Sequence, residues 1–292
     1  MRTQTKIFLI FVSVIFLIFK SRPKDNICEF SNLSIQSVKN DTEVIALVLT
    51  RWQAYENRQV MRKMFATVNT IHVFKPIFLM GIDRIPKEVL FKIQKENEDF
   101  QDLLLVEIEE TYQNPPKKLL AAFHWIFNLK AEQLNWIVKL DDDIYINITK
   151  FDQYFSHISN PDTIHCLEMT NTKPVRDPKS RWYISKEDWN QDMYPPYCSG
   201  TAYIMTPIIG EILFQTYTSH HLTNSKVWME DVFLTGILAR QANVQRTQVI
   251  NMAYMGLLHK KANFFVAHPA LMSDVVKTPK ERLETWQKLF DV

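Results

Sequence analysis

Short apolar runs alternate with helical stretches along most of this chain. Runs typical of buried strands occupy residues 44–50, 76–80 and 103–108. Between residues 117 and 134, apolar side chains recur at positions 119, 120, 123, 126 and 127, which lie on one face of a helix. A further strand, residues 136–140 with the sequence WIVKL, ends directly before three aspartates. This alternation predicts an α/β fold with a mostly parallel central sheet flanked by helices.

The N-terminal segment has a different pattern. Residues 7–19 are apolar except for Ser13, and basic residues stand on both sides of the run. The run is shorter than the roughly 20 residues that a bilayer span needs, and a cleaved signal peptide is the alternative. A cleaved signal needs small residues at its cleavage site, but residues 20–24 read Lys-Ser-Arg-Pro-Lys. We therefore expect an uncleaved signal anchor at 7–19, preceded by a cytoplasmic tail of residues 1–6.

Residues 20–42 are polar and aperiodic, which predicts a short stem before a folded domain at 43–292. Three N-glycosylation sequons, at Asn32, Asn40 and Asn147, all follow the apolar run, as a lumenal C-terminal part requires. Asn32 and Asn40 lie in the predicted stem, where a glycan meets only solvent, so we expect glycosylation at one or both. Asn147 lies close to an acidic triplet described below, and we expect little or no glycan there.

Composition argues against several classes of protein. With 46% hydrophobic and 23% charged residues, a chain of 292 residues can bury a sizeable core and is not largely disordered. A formal net charge of +2 argues against nucleic-acid binding, which normally needs a basic stripe. Only five glycines occur, and no GxGxxG, P-loop, CxxC or HExxH pattern is present. Dinucleotide folds, P-loop kinases and the usual zinc motifs are therefore not indicated.

Three cysteines are present, Cys28, Cys166 and Cys198. In a secretory compartment an odd number indicates one pair and one leftover thiol. Cys166 and Cys198 both fall in the predicted folded domain and could pair, which would brace the loop before Cys198. Cys28 falls in the polar stem and would be free or bonded to another chain.

The acidic triplet Asp141, Asp142 and Asp143 directly follows the strand predicted at 136–140. Three adjacent carboxylates repel one another unless a cation or solvent offsets their charge. Hard oxygen ligands suit Mg²⁺ or Mn²⁺, which also bind diphosphates, and ligands of parallel sheets bind beyond the carboxyl ends of the strands. If the chain stays extended, Asp141 and Asp143 point the same way and can act together. The alternative is an acidic turn that caps the next element.

A second acidic pair, Glu230 and Asp231, enters an apolar helical stretch that runs to about residue 241. Such a carboxylate can act as a general base that accepts the proton of an attacking hydroxyl. The alternative is structural, because acidic residues in a first helical turn interact favourably with the helix dipole.

A third segment, residues 194–203, reads YPPYCSGTAY. Its two prolines fix a turn. Its aromatic rings offer platforms for a sugar ring. The alternative is a rigid loop whose tyrosines pack into the core.

Taken together, these motifs resemble the β1,3-glycosyltransferases of glycosyltransferase family 31, a group of galactosyltransferases and N-acetylglucosaminyltransferases. The resemblance covers roughly residues 44–270 in order. The matching segments are residues 58–65 (RQVMRKMF), 102–118, 136–147 (WIVKLDDDIYIN), 174–176 (PVR), 180–185 (SRWYIS), 194–205 (YPPYCSGTAYIM) and 230–236 (EDVFLTG). A DDD, a YPPYCSG and an EDV in this order form a specific combination, whereas each alone is a weak signal.

The resemblance implies a GT-A fold, a UDP-sugar donor, Mn²⁺ or Mg²⁺, and inversion at the anomeric carbon. It implies that Asp143 binds the metal and that Asp141 helps to hold the metal or the nucleotide. A late histidine often completes the metal shell in this fold. His268 is the first candidate for that position and His259 the second.

The resemblance also implies roles for other residues. Asp231 would be the general base, supported by Glu230. The remaining candidates are, for donor binding, Asp142, Arg58, Arg62 and Lys118, and, for the acceptor or the loop around it, Tyr194, Tyr197 and Trp182. The sequence departs from the family pattern at Phe65, where a tryptophan is usual, at Pro115-Pro116, which replace Leu-Thr, and at Lys130, where a cysteine is usual. None of these departures removes a candidate catalytic carboxylate.

The expected activity is an inverting hexosyl transfer, of galactose or an N-acetylhexosamine, from a UDP-sugar to a glycan hydroxyl. A β1,3 linkage in protein or lipid glycosylation is expected. The expected location is the Golgi membrane, as a single-pass type II protein with a lumenal domain. A rival is a catalytically silent lumenal protein of the same fold that binds or chaperones an active transferase, although the retained DDD and EDV argue against it. A metal-dependent phosphoesterase is a second rival, but no histidine lies near residues 141–143.

Overall fold

The structure is a computed structural model that describes residues 29–219, 226–250, 252–254, 265–267 and 278–290. The predicted anchor at 7–19, Cys28, His259 and His268 lie outside the described residues. Within these ranges the strands are β1 (Val44–Leu49), β2 (Phe74–Asp83), β3 (Leu103–Glu109), β4 (Trp136–Asp141), β5 (Tyr145–Ile146), β6 (Thr163–Met169), β7 (Tyr197–Met205), β8 (Gln245–Gln248), β9 (Ala253–Tyr254) and β10 (Val266–Ala267).

The helices of the described residues follow the strands in the expected alternation. They are α1 (Tyr55–Thr67), α2 (Lys87–Phe100), α3 (Pro115–Asn128), α4 (Ile148–Phe155), α5 (Pro207–Ser219), α6 (Asp231–Leu238), α7 (Ala239–Gln241) and α8 (Pro279–Phe290). Helix α6 has the wide π-helical winding, a form that is rare and often occurs at functional sites.

The main sheet has the strand order β3-β2-β1-β4-β7-β6-β8 within the described part of the chain. Strands β3, β2, β1 and β4 are parallel neighbours, and β8 is parallel to β6. Strand β7 runs antiparallel to both β4 and β6. The prediction of a mixed α/β fold with a mostly parallel sheet is therefore confirmed. A smaller sheet, β5-β10-β9, lies beside the main one.

Strand β1 shows why its segment reads as a continuous apolar run. Ile45 and Leu47 belong to one core cluster, together with buried side chains of α3, α5 and α6. Ala46 and Val48 belong to a second cluster, which contains buried side chains of α1, α2, α4 and α8. The sheet is thus covered on both faces, and each fully buried aliphatic side chain contributes about 1.5–3 kcal/mol.

The helix predicted at 117–134 is shorter than expected and starts earlier. It begins at Pro115, because proline suits the first helical turn, where its missing N–H is not needed. It ends at Asn128, and Lys130 adopts a left-handed backbone conformation with φ of 51°. Such a residue stops a helix, so the chain reaches β4 through a short turn.

The predicted stem contains a segment that is part of the fold. The backbone N–H of Ile35 donates to the carbonyl of Leu103 at 2.8 Å, and that of Ser31 donates to Leu105 at 3.1 Å. The side chain of Ile35 is buried. The folded domain therefore starts before the predicted boundary at 42, along the edge of β3.

Among the described residues, none of the helices has both the length and the apolar character that crossing a membrane requires.

A disulfide joins Cys166 of β6 to Cys198 of β7, the two cysteines that the sequence suggests as a pair. It fixes the start of β7 to its neighbour and so braces the loop before it.

Of the sequon asparagines, Asn32 and Asn40 are exposed. Asn147 is half-buried, and its side chain accepts a hydrogen bond from the N–H of Lys150 at the start of α4.

Candidate active site

The carboxyl ends of β1, β3 and β4 meet at one edge of the sheet. Thr50 follows β1, Glu110 follows β3, and Asp141 is the last residue of β4. Because β7 is antiparallel to β4, its first residues, including Gly200, lie at the same edge. Asp231 at the start of α6 packs against Gly200. Polar groups from five segments therefore gather at this edge.

Lys139 lies at the centre of a group that we call the carboxylate cluster: Lys139, Asp141, Glu230 and Asp231. Its ammonium group is 2.8 Å from Asp141 Oδ1 and 2.6 Å from Glu230 Oε1. It also donates to the carbonyl of Gly200 at 2.5 Å, and the side chain is only 1% exposed. The cluster thus sets three carboxylates against one ammonium group, an arrangement in which burial and repulsion both act on the carboxylates.

Glu230 and Asp231 have different surroundings although they are neighbours in the chain. Besides its ion pair with Lys139, Glu230 accepts a hydrogen bond from the hydroxyl of Tyr203 at 3.2 Å. Asp231 Oδ1 accepts the backbone N–H of Val232 at 2.8 Å. A β-carbon added at Gly200 would lie 3.0 Å from Asp231 Oδ2, so the glycine gives the Asp231 carboxylate room to pack closely. The Glu230 carboxylate is therefore held by Lys139 and Tyr203, whereas the Asp231 carboxylate packs against Gly200 near the start of β7.

The protonation equilibria of the cluster follow from its burial. Burial raises the pKa of Asp231 and of Glu230, with Lys139 opposing the rise in both cases. Burial alone would lower the pKa of Lys139, but Asp141 and Glu230 outweigh it and raise the pKa. A carboxylate whose pKa moves upward towards neutrality is better matched to accepting a proton at physiological pH.

The acidic triplet does not continue β4. The strand ends at Asp141, and Asp142 and Asp143 form a turn, so the expectation of an extended segment is wrong here. Asp142 accepts hydrogen bonds from the hydroxyl of Thr50 and from Asn57 Nδ2, the latter at 3.1 Å. Burial raises the pKa of Asp142. Its side chain is thus fastened to the end of β1 and to α1.

Helix α8 holds the acidic turn in place, a contact that no sequence motif indicates. Arg282 donates to the carbonyl of Asp142 at 2.7 Å and to that of Asn57 at 3.4 Å. Trp286 donates from its indole nitrogen to the carbonyl of Ile146 at 2.7 Å. Both side chains are buried. The two side chains bind the carbonyls of Asp142 and Ile146 and so hold the segment that follows β4. They lie 140 residues further along the chain, so no local sequence pattern could indicate these contacts.

Arg58 and Arg62, the predicted donor-binding arginines, belong to a second buried group, the arginine cluster: Arg58, Arg62, Glu96 and Asp102. Arg58 binds both oxygens of Glu96, at 2.8 and 2.6 Å. Arg62 binds both oxygens of Asp102 at 2.8 Å and also contacts Glu96. The side chain of Arg58 is 1% exposed. In the structure these arginines fasten α1 to α2, and donor binding would require the ion pairs to open.

Lys118 is buried near the carboxyl ends of β1 and β3. Its ammonium group is 2.5 Å from Glu110 Oε1 and donates to the carbonyl of Thr50 at 3.3 Å. The other oxygen of Glu110 accepts the N–H of Gly81 at 2.8 Å. Burial lowers the pKa of Lys118, with Glu110 opposing. Lys118 thus connects the residues that follow β1 and β3, and Glu110 connects them to β2.

The tyrosines of YPPY are not open platforms for a sugar. Tyr194 and Tyr197 are both buried, and their rings pack against each other with centroids 6.3 Å apart. Tyr194 also packs against Trp189. The alternative that these tyrosines pack into the core therefore describes them better. Tyr197 is the first residue of β7, and both rings are buried. Trp182 is 47% exposed, with the guanidinium group of Arg181 over its ring.

The acidic edge suits a divalent cation by its donor chemistry. Asp141 and Asp143 offer carboxylate oxygens, which hard cations prefer, and the carboxylate cluster carries excess negative charge. Within the described residues, however, no three histidine, cysteine, aspartate or glutamate side chains converge as a metal site. The two histidine candidates, His268 and His259, lie outside the described residues.

The sequence is similar to those of several known proteins. A family model described as Galactosyltransferase matches residues 56–250. β-1,3-Galactosyltransferase 1 of Homo sapiens is 26% identical over 218 residues, which cover 72% of this chain and 64% of that protein. β-1,3-Galactosyltransferase 5 of Pan troglodytes is 23% identical over 225 residues, covering 76% and 70%. A lactosylceramide 1,3-N-acetyl-β-D-glucosaminyltransferase of Homo sapiens is 24% identical over 214 residues, covering 70% and 55%. This chain therefore aligns with just under two thirds of the galactosyltransferase 1 sequence.

Proposed function

The chain belongs to the galactosyltransferase family, and from this premise we propose that it transfers a hexose from a UDP-sugar to a hydroxyl of a glycan acceptor. The observation that carries the proposal is the meeting of the acidic turn with the pair Glu230 and Asp231 at one edge of the sheet. Transfer needs a base for the acceptor hydroxyl and a partner for the diphosphate that leaves. Asp231 would supply the base, and the acidic turn would hold a cation that binds the diphosphate.

Asp231 is the proposed general base. Its pKa is raised by burial, so its affinity for the acceptor proton is higher than that of an exposed aspartate. Glu230 is fastened by Lys139 and Tyr203, which suits a supporting role better than proton transfer. When Asp231 takes the proton, the acceptor oxygen attacks the anomeric carbon from the face opposite the diphosphate. This single displacement inverts the anomeric centre, so an α-linked donor yields a β-linked product.

The opposite end of the site would receive the diphosphate. Asp143 and Asp141 would hold Mn²⁺ or Mg²⁺, with His268 as the proposed third ligand. Such a cation neutralises charge on a leaving diphosphate. Asp142 and Arg282 keep the turn in place, because both are bound to the segment around Asn57.

We further propose a GT-A-type arrangement, a β1,3 linkage, galactose or an N-acetylhexosamine as the transferred sugar, and a lumenal site in the Golgi. Three names of related proteins support the linkage and the sugar classes. A disulfide and exposed sequon asparagines support an oxidising, glycosylating compartment. The membrane anchor at 7–19 remains a proposal from the sequence.

The test is UDP release from a panel of UDP-sugars, with and without Mn²⁺, by protein from a secretory host. We expect acceptor-dependent release that requires the cation and is abolished by Asp143→Ala. Asp99→Ala is the matched control, because Asp99 is an exposed aspartate of α2 away from the site. Absence of release with every donor, despite UDP binding, would support the catalytically silent rival instead.

A further inference from the structure

The segment 29–35 enters the folded domain along the outer side of β3 and runs antiparallel to that strand. The N–H of Glu107, near the carboxyl end of β3, donates to the carbonyl of Glu29 at 2.9 Å. The N–H of Ile35 donates to the carbonyl of Leu103, the first residue of β3. The chain therefore joins the fold at the carboxyl end of β3, which is the edge of the sheet that carries the candidate active site.

Side chains hold this entry segment in place. Ser34 Oγ accepts the N–H of Leu105 at 2.9 Å, and Asn97 Nδ2 of α2 donates to the carbonyl of Leu33 at 2.6 Å. Ser34 and Ile35 are both buried. Since a buried polar group that loses its partner costs roughly 1–3 kcal/mol, the segment does not detach freely. It is a fixed part of the domain rather than part of a tether.

The tether between the predicted anchor at 7–19 and the entry segment is therefore short. It consists of the nine residues 20–28, which reach at most roughly 30 Å when fully extended. A globular domain of about 250 residues is roughly 45 Å across. Because the tether is shorter than the domain is wide, the domain cannot place its whole width between the membrane and its point of attachment. The predicted stem of 20–42 would have reached about 75 Å and left the orientation open.

The candidate active site lies only a few strands away from the point of attachment. Strands β3, β2, β1 and β4 are neighbours in that order, and the entry segment lies outside β3. Neighbouring strands are about 4.8 Å apart, which puts Asp141, at the end of β4, about 19 Å from Glu29 across the sheet. A tether that keeps Glu29 near the bilayer therefore keeps the acidic edge near it as well.

We propose that the carboxyl edge of the sheet faces the membrane of the predicted anchor and that the acceptor glycan is carried by a lipid of that membrane. The acceptor part rests on the proposed function, and both parts rest on the anchor at 7–19. A lipid-linked glycan starts at the bilayer surface and shares the membrane with the enzyme, so the short tether raises its effective concentration at the site. A glycan on a soluble protein gains nothing from the tether and has to enter between the domain and the bilayer.

Energy transfer to a headgroup dye in vesicles tests the orientation of the full-length protein. Glu109→Cys places a label at the carboxyl end of β3, and Gln133→Cys places one in the turn before β4, at the opposite edge; both positions are exposed. Each variant also carries Cys28→Ser, because the other two cysteines, Cys166 and Cys198, are joined in a disulfide. We expect more energy transfer from the label at Glu109, since the two edges are separated by about 20 Å.

A longer tether is the matched control for both parts of the proposal. An insertion of about 30 Gly and Ser residues after Lys24 extends the reach beyond the width of the domain, so the difference between the two labels should disappear. Hexose transfer is then measured to a panel of disaccharides, each presented free and as its dialkylglycerol conjugate in the vesicles that hold the enzyme. We expect the insertion to lower kcat/KM about tenfold for the lipid conjugates and less than about twofold for the free disaccharides.

The outcomes separate the orientation from the reaction. Equal energy transfer from the two labels, or a mature chain whose mass shows that residues 1–24 are removed, overturns the proposal while the transferase proposal stands. If the insertion changes transfer to free and to lipid-linked disaccharides alike, the lipid-linked acceptor is overturned. If no disaccharide is used in either form although the label at Glu109 lies closer to the bilayer, the transferase proposal fails and the orientation stands.

Discussion

The arginine cluster and the carboxylate cluster are both buried, yet their charges are balanced differently. The arginine cluster sets two cations against two anions, in paired contacts of 2.6–2.8 Å. The carboxylate cluster sets one cation, Lys139, against three carboxylates. The charges of the arginine cluster therefore balance, whereas the carboxylate cluster keeps negative charge in excess.

This difference in charge balance indicates that the arginine cluster stabilises the fold and that the carboxylate cluster serves the reaction. Taking ions out of water costs free energy, and only well-paired charges recover most of it. An excess of buried negative charge does not favour folding. It is expected where a protein has to bind a cation, a proton or a charged substrate. The balanced cluster fastens α1 to α2. The unbalanced one lies at the open edge of the sheet, where the proposed reaction takes place.

The largest effect is expected for Lys139→Met. The change removes the ammonium group and leaves the carboxylates of Asp141, Glu230 and Asp231 together, so the free energy of unfolding should fall by about 5 kcal/mol. Urea unfolding followed by circular dichroism measures it. The double variant Lys139→Met/Glu230→Gln should recover part of the loss. Equal stability of the single and double variants would contradict charge excess as the cause.

Arg58→Met should cost less, about 3 kcal/mol, because Arg62 still neutralises Glu96 after the change. Chemical unfolding of the variant provides the measurement. Arg58→Met/Glu96→Gln should be closer to the wild type than either single variant. UDP binding should persist in folded protein. A selective loss of UDP binding with unchanged stability would instead return Arg58 to a donor-binding role.

Asp231→Asn should lower kcat by about 100-fold, since the acceptor proton loses its base, an effect equivalent to about 2.7 kcal/mol in the barrier. Donor binding, measured by titration calorimetry with UDP, should be retained. Stability should not fall, because burial already disfavours the charged form of Asp231. An unfolded variant would favour a structural role at the start of α6. Normal turnover would move the base to another group.

The smallest effect concerns the pH dependence of stability, measured without divalent cations. Because the pKa of Asp231 is raised, the folded state holds this proton more tightly than the unfolded state. The resulting stabilisation is present at acidic pH and is lost as the pH rises through the unfolded and then the folded pKa. The stability of Asp231→Asn relative to the wild type should therefore grow from acidic to neutral pH and then level off. A constant difference would contradict the raised pKa.

Several elements were predictable because their physical causes are local. Strand β1 is buried on both faces, so its residues form an uninterrupted apolar run that the sequence displays directly. The acidic triplet stands at the end of β4 as expected, and Glu230 and Asp231 stand at the start of a helix. The motif around Cys198 was recognisable in the sequence. Its tyrosine rings could be either sugar platforms or core residues, and only the structure shows that they are buried.

Lys139 shows why the rest could not be predicted. A lysine within an apolar strand normally turns its charge towards solvent, yet this one is 1% exposed. Its burial depends on Glu230, which lies far along the chain. A basic residue inside an apolar run, followed two residues later by an aspartate, was the available signal. Arg282 offered no comparable signal.

The amino-acid sequence by itself determined where strands and helices form and which segments carry carboxylates, because periodicity and polarity act over a few residues. The tertiary structure decided which charges meet and which of them are neutralised. Lys139 and Glu230 became partners, as did Arg282 and the carbonyl of Asp142, only when the sheet and α8 came together. Electrostatic free energy depends on distance and burial in space, and neither quantity can be read from positions along the chain.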